Sequence, residues 1–161
     1  MRFTNQITGT VFSLILLFVF SSTALYAQQT IHYDNRQAEF NTAMELYKQE
    51  KYSAAQHAFN EFAQRTSPDD ALLKEDAKFY ASMCAMKLHN RNVQHLIKTF
   101  IFEHPENPNI NEASFQLANH YFKEEIYGAA IKWYDKVDKL SLPEEQMSEY
   151  YFKTGFCHYA R

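Results

Sequence analysis

Seven histidines and 19 aspartate and glutamate side chains are the groups here with most chemistry to offer, as metal ligands or as general acids and bases. The nearest histidine pairs, His89 with His95 and His95 with His104, are six and nine residues apart. Ligands on one helix face stack at i and i+4. These spacings therefore predict solvated or half-buried histidines and no metal site. The adjacent carboxylates Asp69–Asp70, Glu124–Glu125 and Glu144–Glu145 fall at predicted helix ends. Capping and turn solvation account for them without acid–base catalysis. No Gly-x-Ser-x-Gly, Cys-x-x-Cys or His-Glu-x-x-His pattern occurs. Of three glycines, Gly9 lies in an apolar leader, and Gly128 and Gly155 alone cannot build a phosphate-cradling loop. Trp133 and Tyr134 could cage a ligand, but Tyr134 belongs to a recurring structural series, which favours packing between layers. Cys84 and Cys157, 73 residues apart, each sit in an apolar helical pattern and read as buried thiols rather than a disulfide. The expectation is a binding protein with no cofactor, not an enzyme.

The elements that must position a binding surface are helices. Fourteen phenylalanines and 11 tyrosines against three glycines and four prolines give many apolar anchors and few turn-formers. The formal charge is −3, and removing residues 1–27 deletes Arg2 and no acid, giving −4. Nothing in that balance attracts nucleic acid.

Residues Val11 to Phe20 form an apolar run behind Arg2, too short to span a bilayer comfortably. Small and then polar residues follow, which predicts a signal peptide cut after Ala27, with Ala24 as the alternative site and an uncleaved anchor as the bland reading. No cysteine stands at that boundary, so a lipoprotein is not expected.

Residues 43–55, 81–93 and 118–130 line up without gaps. A small residue recurs at Ala43, Ala81, Ala118 and Gly155, a second at Ala55, Val93 and Ala130, and a large one at Phe59, Ile97 and Tyr134. All three series step by 37 or 38 residues, which implies pairs of helices meeting at small side chains with aromatics between layers. Ser67-Pro-Asp-Asp70, Asn109-Ile-Asn-Glu112 and Ser141-Leu-Pro-Glu144 read as capped helix starts at unit boundaries. Helices are expected at 34–49, 53–66, 69–88, 92–104, 110–124, 127–140 and 143–160.

With Tyr-Lys-Gln-Glu-Lys-Tyr-Ser-Ala-Ala at 47–55 and Phe-Lys-Glu-Glu-Ile-Tyr-Gly-Ala-Ala-Ile-Lys-Trp-Tyr at 122–134, the chain resembles the tetratricopeptide repeat (TPR) family. Its tryptophan position is taken by Glu39, Ala77, Ser114 and Tyr151, and the period exceeds the family's usual length of about 34 residues. With the leader, the longer unit looks like those of exported bacterial repeat proteins associated with outer-membrane barrel assembly or with Tol-Pal.

The resemblance implies an all-α, right-handed TPR-like superhelix of antiparallel helix pairs across 28–161. About three and a half repeats are expected, at 34–68, 69–107, 108–142 and a partial 143–161. The fourth unit stops within its first helix, so the chain reads as an N-terminal fragment whose open edge could also drive self-association.

In the family the first helix of each unit lines a concave groove. The positions carried over are Phe40, Met44, Tyr47 and Lys48, then Lys78, Ser82 and Met86, then Phe115, Asn119, Phe122 and Lys123. The resemblance thus implies a periplasmic scaffold, associated with the outer membrane at most through partners, that holds a peptide or partner helix. Two alternatives stay open: an assembly or transport factor for outer-membrane clients, or the regulatory module of an enzyme whose catalytic domain lies beyond Arg161.

Overall fold

The computed structural model describes residues 35–65 and 70–161. The leader at 1–27 and Ser67-Pro-Asp69 of the first expected helix start lie outside them. The chain divides into two compact units, Met1–Thr42 and Ala43–Arg161. In the first, residues 35–42 are helical; Arg36 Nη1 meets Glu39 Oε2 at 2.9 Å, and Phe40 is buried. The second opens with helical residues 43–48 (α1) and continues with α2 (Tyr52–Arg65), α3 (Ala71–Lys87), α4 (Val93–Glu103), α5 (Ile110–Lys123), α6 (Tyr127–Tyr134) and α7 (Glu144–Ala160). No strand occurs among the described residues. From α2 onward each helix packs on the next, and α7 also touches α5.

The three recurring series are the core. Ala43, Ala55, Ala118, Ala130, Phe59, Ile97 and Tyr134 are fully buried, and Ala81 and Val93 nearly so. Gly155 departs from its series. It is exposed, and a Cβ built there would meet nothing within 4 Å.

The turns after α1, α3 and α5 share one design. In the first, Lys51 N–H donates to Leu46 O and Glu50 N–H to Tyr47 O, both at 3.0 Å. Asn90 to Ala85 with His89 to Met86, and Ile126 to Tyr121 with Glu125 to Phe122, repeat the pattern within 2.9–3.1 Å. These paired bonds satisfy the last carbonyls of each helix and require a left-handed residue just past its end. Glu50, His89 and Glu125 take that position, with φ of 58°, 56° and 60°.

Two expectations change. The helix expected at 127–140 ends at Tyr134, and the chain passes through a turn into a short 3-10 segment, Lys139–Ser141. The break is held from outside the helix. Asn111 on α5 grips the backbone of Asp138, its Oδ1 accepting from Asp138 N at 2.7 Å and its Nδ2 donating to Asp138 O at 3.0 Å. Asp138 in turn accepts from Leu140 N and Ser141 Oγ.

The side-chain caps expected from Asn109 and Ser141 are not formed, and Ser67 lies outside the described residues. Asp70 and Asn109 sit at the N-cap positions of α3 and α5 without a side-chain cap bond, and the N-cap of α7 is Pro143, with Ser141 committed to Asp138. Asn109 instead donates from Nδ2 to Asp76 Oδ1 at 2.8 Å, and Asn107 reaches Glu75 at 3.0 Å, so this loop is tied back to α3.

Candidate partner-binding groove

Counting back from the three left-handed residues fixes the register of the first helices more securely than a gapless alignment does. Ten residues before each stands a phenylalanine: Phe40, Phe79 and Phe115, all buried. Seven before stand Ala43, Ser82 and Ala118, also buried. Three before stand Tyr47, Met86 and Phe122, each half-buried, and two before stand Lys48, Lys87 and Lys123, each exposed. His89 falls one position later relative to Ala81 than Glu50 does to Ala43 or Glu125 to Ala118, so α3 holds one residue more before its turn and the turn one fewer.

That shift places Lys78 and Ser82 apart from the other expected residues of α3 and α5. Ser82 is the small core residue of its unit, 5% exposed, with its Oγ donating to Lys78 O at 2.9 Å. Lys78 donates to Glu103 Oε2 at 3.0 Å and lies 3.1 Å from His104 Nε2. This pair holds the Glu103 carboxyl below its ordinary value, chiefly through the hydrogen bond from Lys78. Both residues line a separate cleft of about 330 Å³ bounded by α2, α3 and α4, away from the lysine row. Phe115 is fully buried against Tyr134, with ring centroids 6.2 Å apart, and belongs to the core. Phe40 is buried in the first unit.

Met86, Asn119, Phe122 and Lys123 are brought together. They line a groove of about 520 Å³ between α3, α5 and α7, joined by Lys87, His89, His120 and Lys153. Its floor is braced by aromatic edges, Phe122 packing on Tyr127 at 5.9 Å and on Phe156 at 5.6 Å. Asn119 Oδ1 accepts from Tyr134 OH at 2.6 Å and from Lys153 Nζ at 3.1 Å. Lys153 is also bonded to Glu149 and lies 5.3 Å over the Phe122 ring. It is thus neutralised and fixed, whereas Lys87 and Lys123 stand exposed at the rim. Burial depresses the His120 imidazole, partly opposed by Glu124, so the groove wall is uncharged there at neutral pH.

Tyr47 and Met86 share a neighbouring hollow of about 230 Å³ with Tyr80, Glu112 and Gln116. Tyr47 stacks edge-on against Tyr80 at 5.5 Å and Tyr52 at 5.6 Å, and burial pushes its phenol up to about 12. Met44 is half-buried on α1, and Lys48 pairs with Glu45 at 3.1 Å.

Of the groove residues, Lys87 is not among those expected from the sequence. The signal was there: Phe40 with Lys48, Phe79 with Lys87 and Phe115 with Lys123 are each eight residues apart, a pairing that a one-residue gap would have aligned. Among the described residues no group of three or more His, Cys, Asp or Glu side chains is placed to hold a metal, and no helix is long and apolar enough to cross a membrane. No family model matches this chain, and no curated protein matches its sequence.

Proposed function

We propose that this chain is an exported, non-enzymatic scaffold of the bacterial cell envelope, built of TPR-type repeats, that holds a peptide or partner helix in the groove between α3, α5 and α7. The carrying observation is the pairing, at one register position per unit, of a half-buried apolar residue with an exposed lysine: Met86 with Lys87 and Phe122 with Lys123, both opening on the same groove. An apolar contact of this kind supplies affinity, and rim lysines orient a partner that carries carboxylates. The preferred ligand is therefore a segment with an aromatic or aliphatic anchor flanked by acids.

A synthetic peptide array varying anchor and charge tests this against the intact chain and the double variant Lys87→Glu with Lys123→Glu. Acidic peptides with an apolar anchor should be retained by the parent and lose about tenfold or more in affinity to the variant, while circular dichroism stays unchanged. Equal retention of acidic and basic peptides by the parent would sink the reading. Phe122→Ala is the apolar control, and Phe115→Ala is unsuitable because Phe115 is core. Export is tested separately by mass spectrometry of the mature N-terminus, where an intact Met1 would refute cleavage.

A further inference from the structure

The cleft of about 330 Å³ between α2, α3 and α4 takes no part in the groove. It lies where one unit meets the next, and the same junction recurs between α4, α5 and α6, so the two compare residue by residue. Counted back from the left-handed residues, Ala81 in the cleft corresponds to Leu117 on α5, each eight positions before His89 or Glu125. Counted forward from Val93 and Ala130, Leu96 in the cleft corresponds to Trp133 on α6, and Thr99 to Lys136 just after it. At the second junction Leu117 is fully buried, Trp133 is half-buried against the core, and Lys136 Nζ lies 4.0 Å from the centre of its ring. The first junction has alanine for that leucine and leucine for that tryptophan. Helices held by their other contacts close only partly over missing side-chain volume, so two smaller residues at one junction leave an open space.

We propose that this cleft is a second binding site, for an uncharged aromatic ring of about the size of an indole. Three features select that ligand. First, the chain itself places an indole at the equivalent position of the next junction. Second, the cleft is near the lower end of the range for ligand pockets, roughly 300–1,000 Å³, enough for one fused ring system and its immediate substituents. Its inner surface is apolar, from Ala81, Leu96 and Phe100, and its rim carries the Asn60 and Asn92 amides and the Thr99 hydroxyl. That arrangement suits a flat apolar body with a hydrogen-bonding edge. Third, Lys78 and Glu103 at one end already pair with each other at 3.0 Å, so an ionised ligand finds no unanswered charge in either of them. The site is independent of the groove reading.

Indole and N-acetyltryptophanamide, titrated into the intact nitrogen-15-labelled chain and followed by amide NMR shifts, test the proposal and tell a free ring from a tryptophan side chain of a partner. Saturable shifts are expected at Ala81, Leu96 and Thr99, with a dissociation constant on the order of 0.1–1 mM. The probe that binds more tightly names the source of the ring.

Leu96→Trp places the chain's own indole at this junction and should abolish saturable binding of both probes. Thr99→Lys supplies the cation that Lys136 supplies to Trp133 and should strengthen binding about two- to fivefold, a gain that a misfolded chain cannot show. Absence of saturable shifts up to about 5 mM of either probe overturns the proposal, as do shifts centred on Lys87 and Lys123 in the groove. Undiminished binding to a folded Leu96→Trp chain, or a Thr99→Lys chain that binds no more tightly than the parent, overturns it equally.

Discussion

At the residue scale the least ordinary feature is the use of glutamate and histidine where a helix end needs a left-handed backbone. Such a conformation costs a side-chain-bearing residue roughly 1 kcal/mol that glycine avoids. Glu50, His89 and Glu125 tolerate it because each turn returns two carbonyl hydrogen bonds. Glu125→Gly should therefore stabilise the fold by about 0.5–1 kcal/mol, seen as a higher urea midpoint. A lower midpoint would mean that the Glu125 side chain contributes something its exposure does not suggest. Scarcity of glycine hid which residue of each turn takes the left-handed conformation, because glycine is the usual marker of that position.

At the element scale two contrasts can be measured. The amide of Asn111 both donates to and accepts from the Asp138 backbone, which stops α6 at Tyr134 and starts the 3-10 segment. Asn111→Ala removes both bonds and should lower stability by about 1 kcal/mol, with increased hydrogen exchange at Asp138 N–H as the local signature. Ala118 and Gly155 occupy one register position in different surroundings. Ala118→Leu, inserted under α6, should destabilise by about 1–3 kcal/mol. Gly155→Ala lies in a helix interior with open space around it and should stabilise by about 0.5–1 kcal/mol. The helix boundaries were largely legible, since apolar spacing and short polar turns located each helix within about two residues except the end of α6. That end was not, because the groups that stop it come from α5, 27 residues away in sequence.

For the molecule as a whole, the buried phenols and thiol predict behaviour in alkali. Burial raises Tyr47 to about 12 from 10.0 and Cys84 to about 11 from 9.0, and it raises Tyr80 and Tyr134 as well. In each case the neutral form is favoured in the folded chain, and the unfolded chain ionises first. Stability from these groups is therefore complete below about pH 9 and falls as pH rises towards about 12. Urea midpoints should be flat with respect to these groups up to about pH 9 and decline above it. A midpoint unchanged at pH 11 would show that the Tyr47 and Cys84 environments are wetter than their packing implies.

The sequence by itself determined that the chain makes helices, that they recur every 37 or 38 residues, and which small and aromatic residues meet in the core, because burial of side chains imposes a period that composition must obey. The gapless alignment of the three series does not place α3 within one residue of its register. A single residue moved between helix and turn leaves the alanine series intact but rotates α3 by about 100° relative to the alignment, sending Lys78 and Ser82 to another face and adding Lys87 to the groove beside Met86. The turn hydrogen bonds fix that rotation in the tertiary structure, while the sequence carries it only in the eight-residue spacing from phenylalanine to lysine, which a gapless alignment does not read. The same holds for α5: only packing shows that Ser114, Phe115 and Ala118 lie beneath α6.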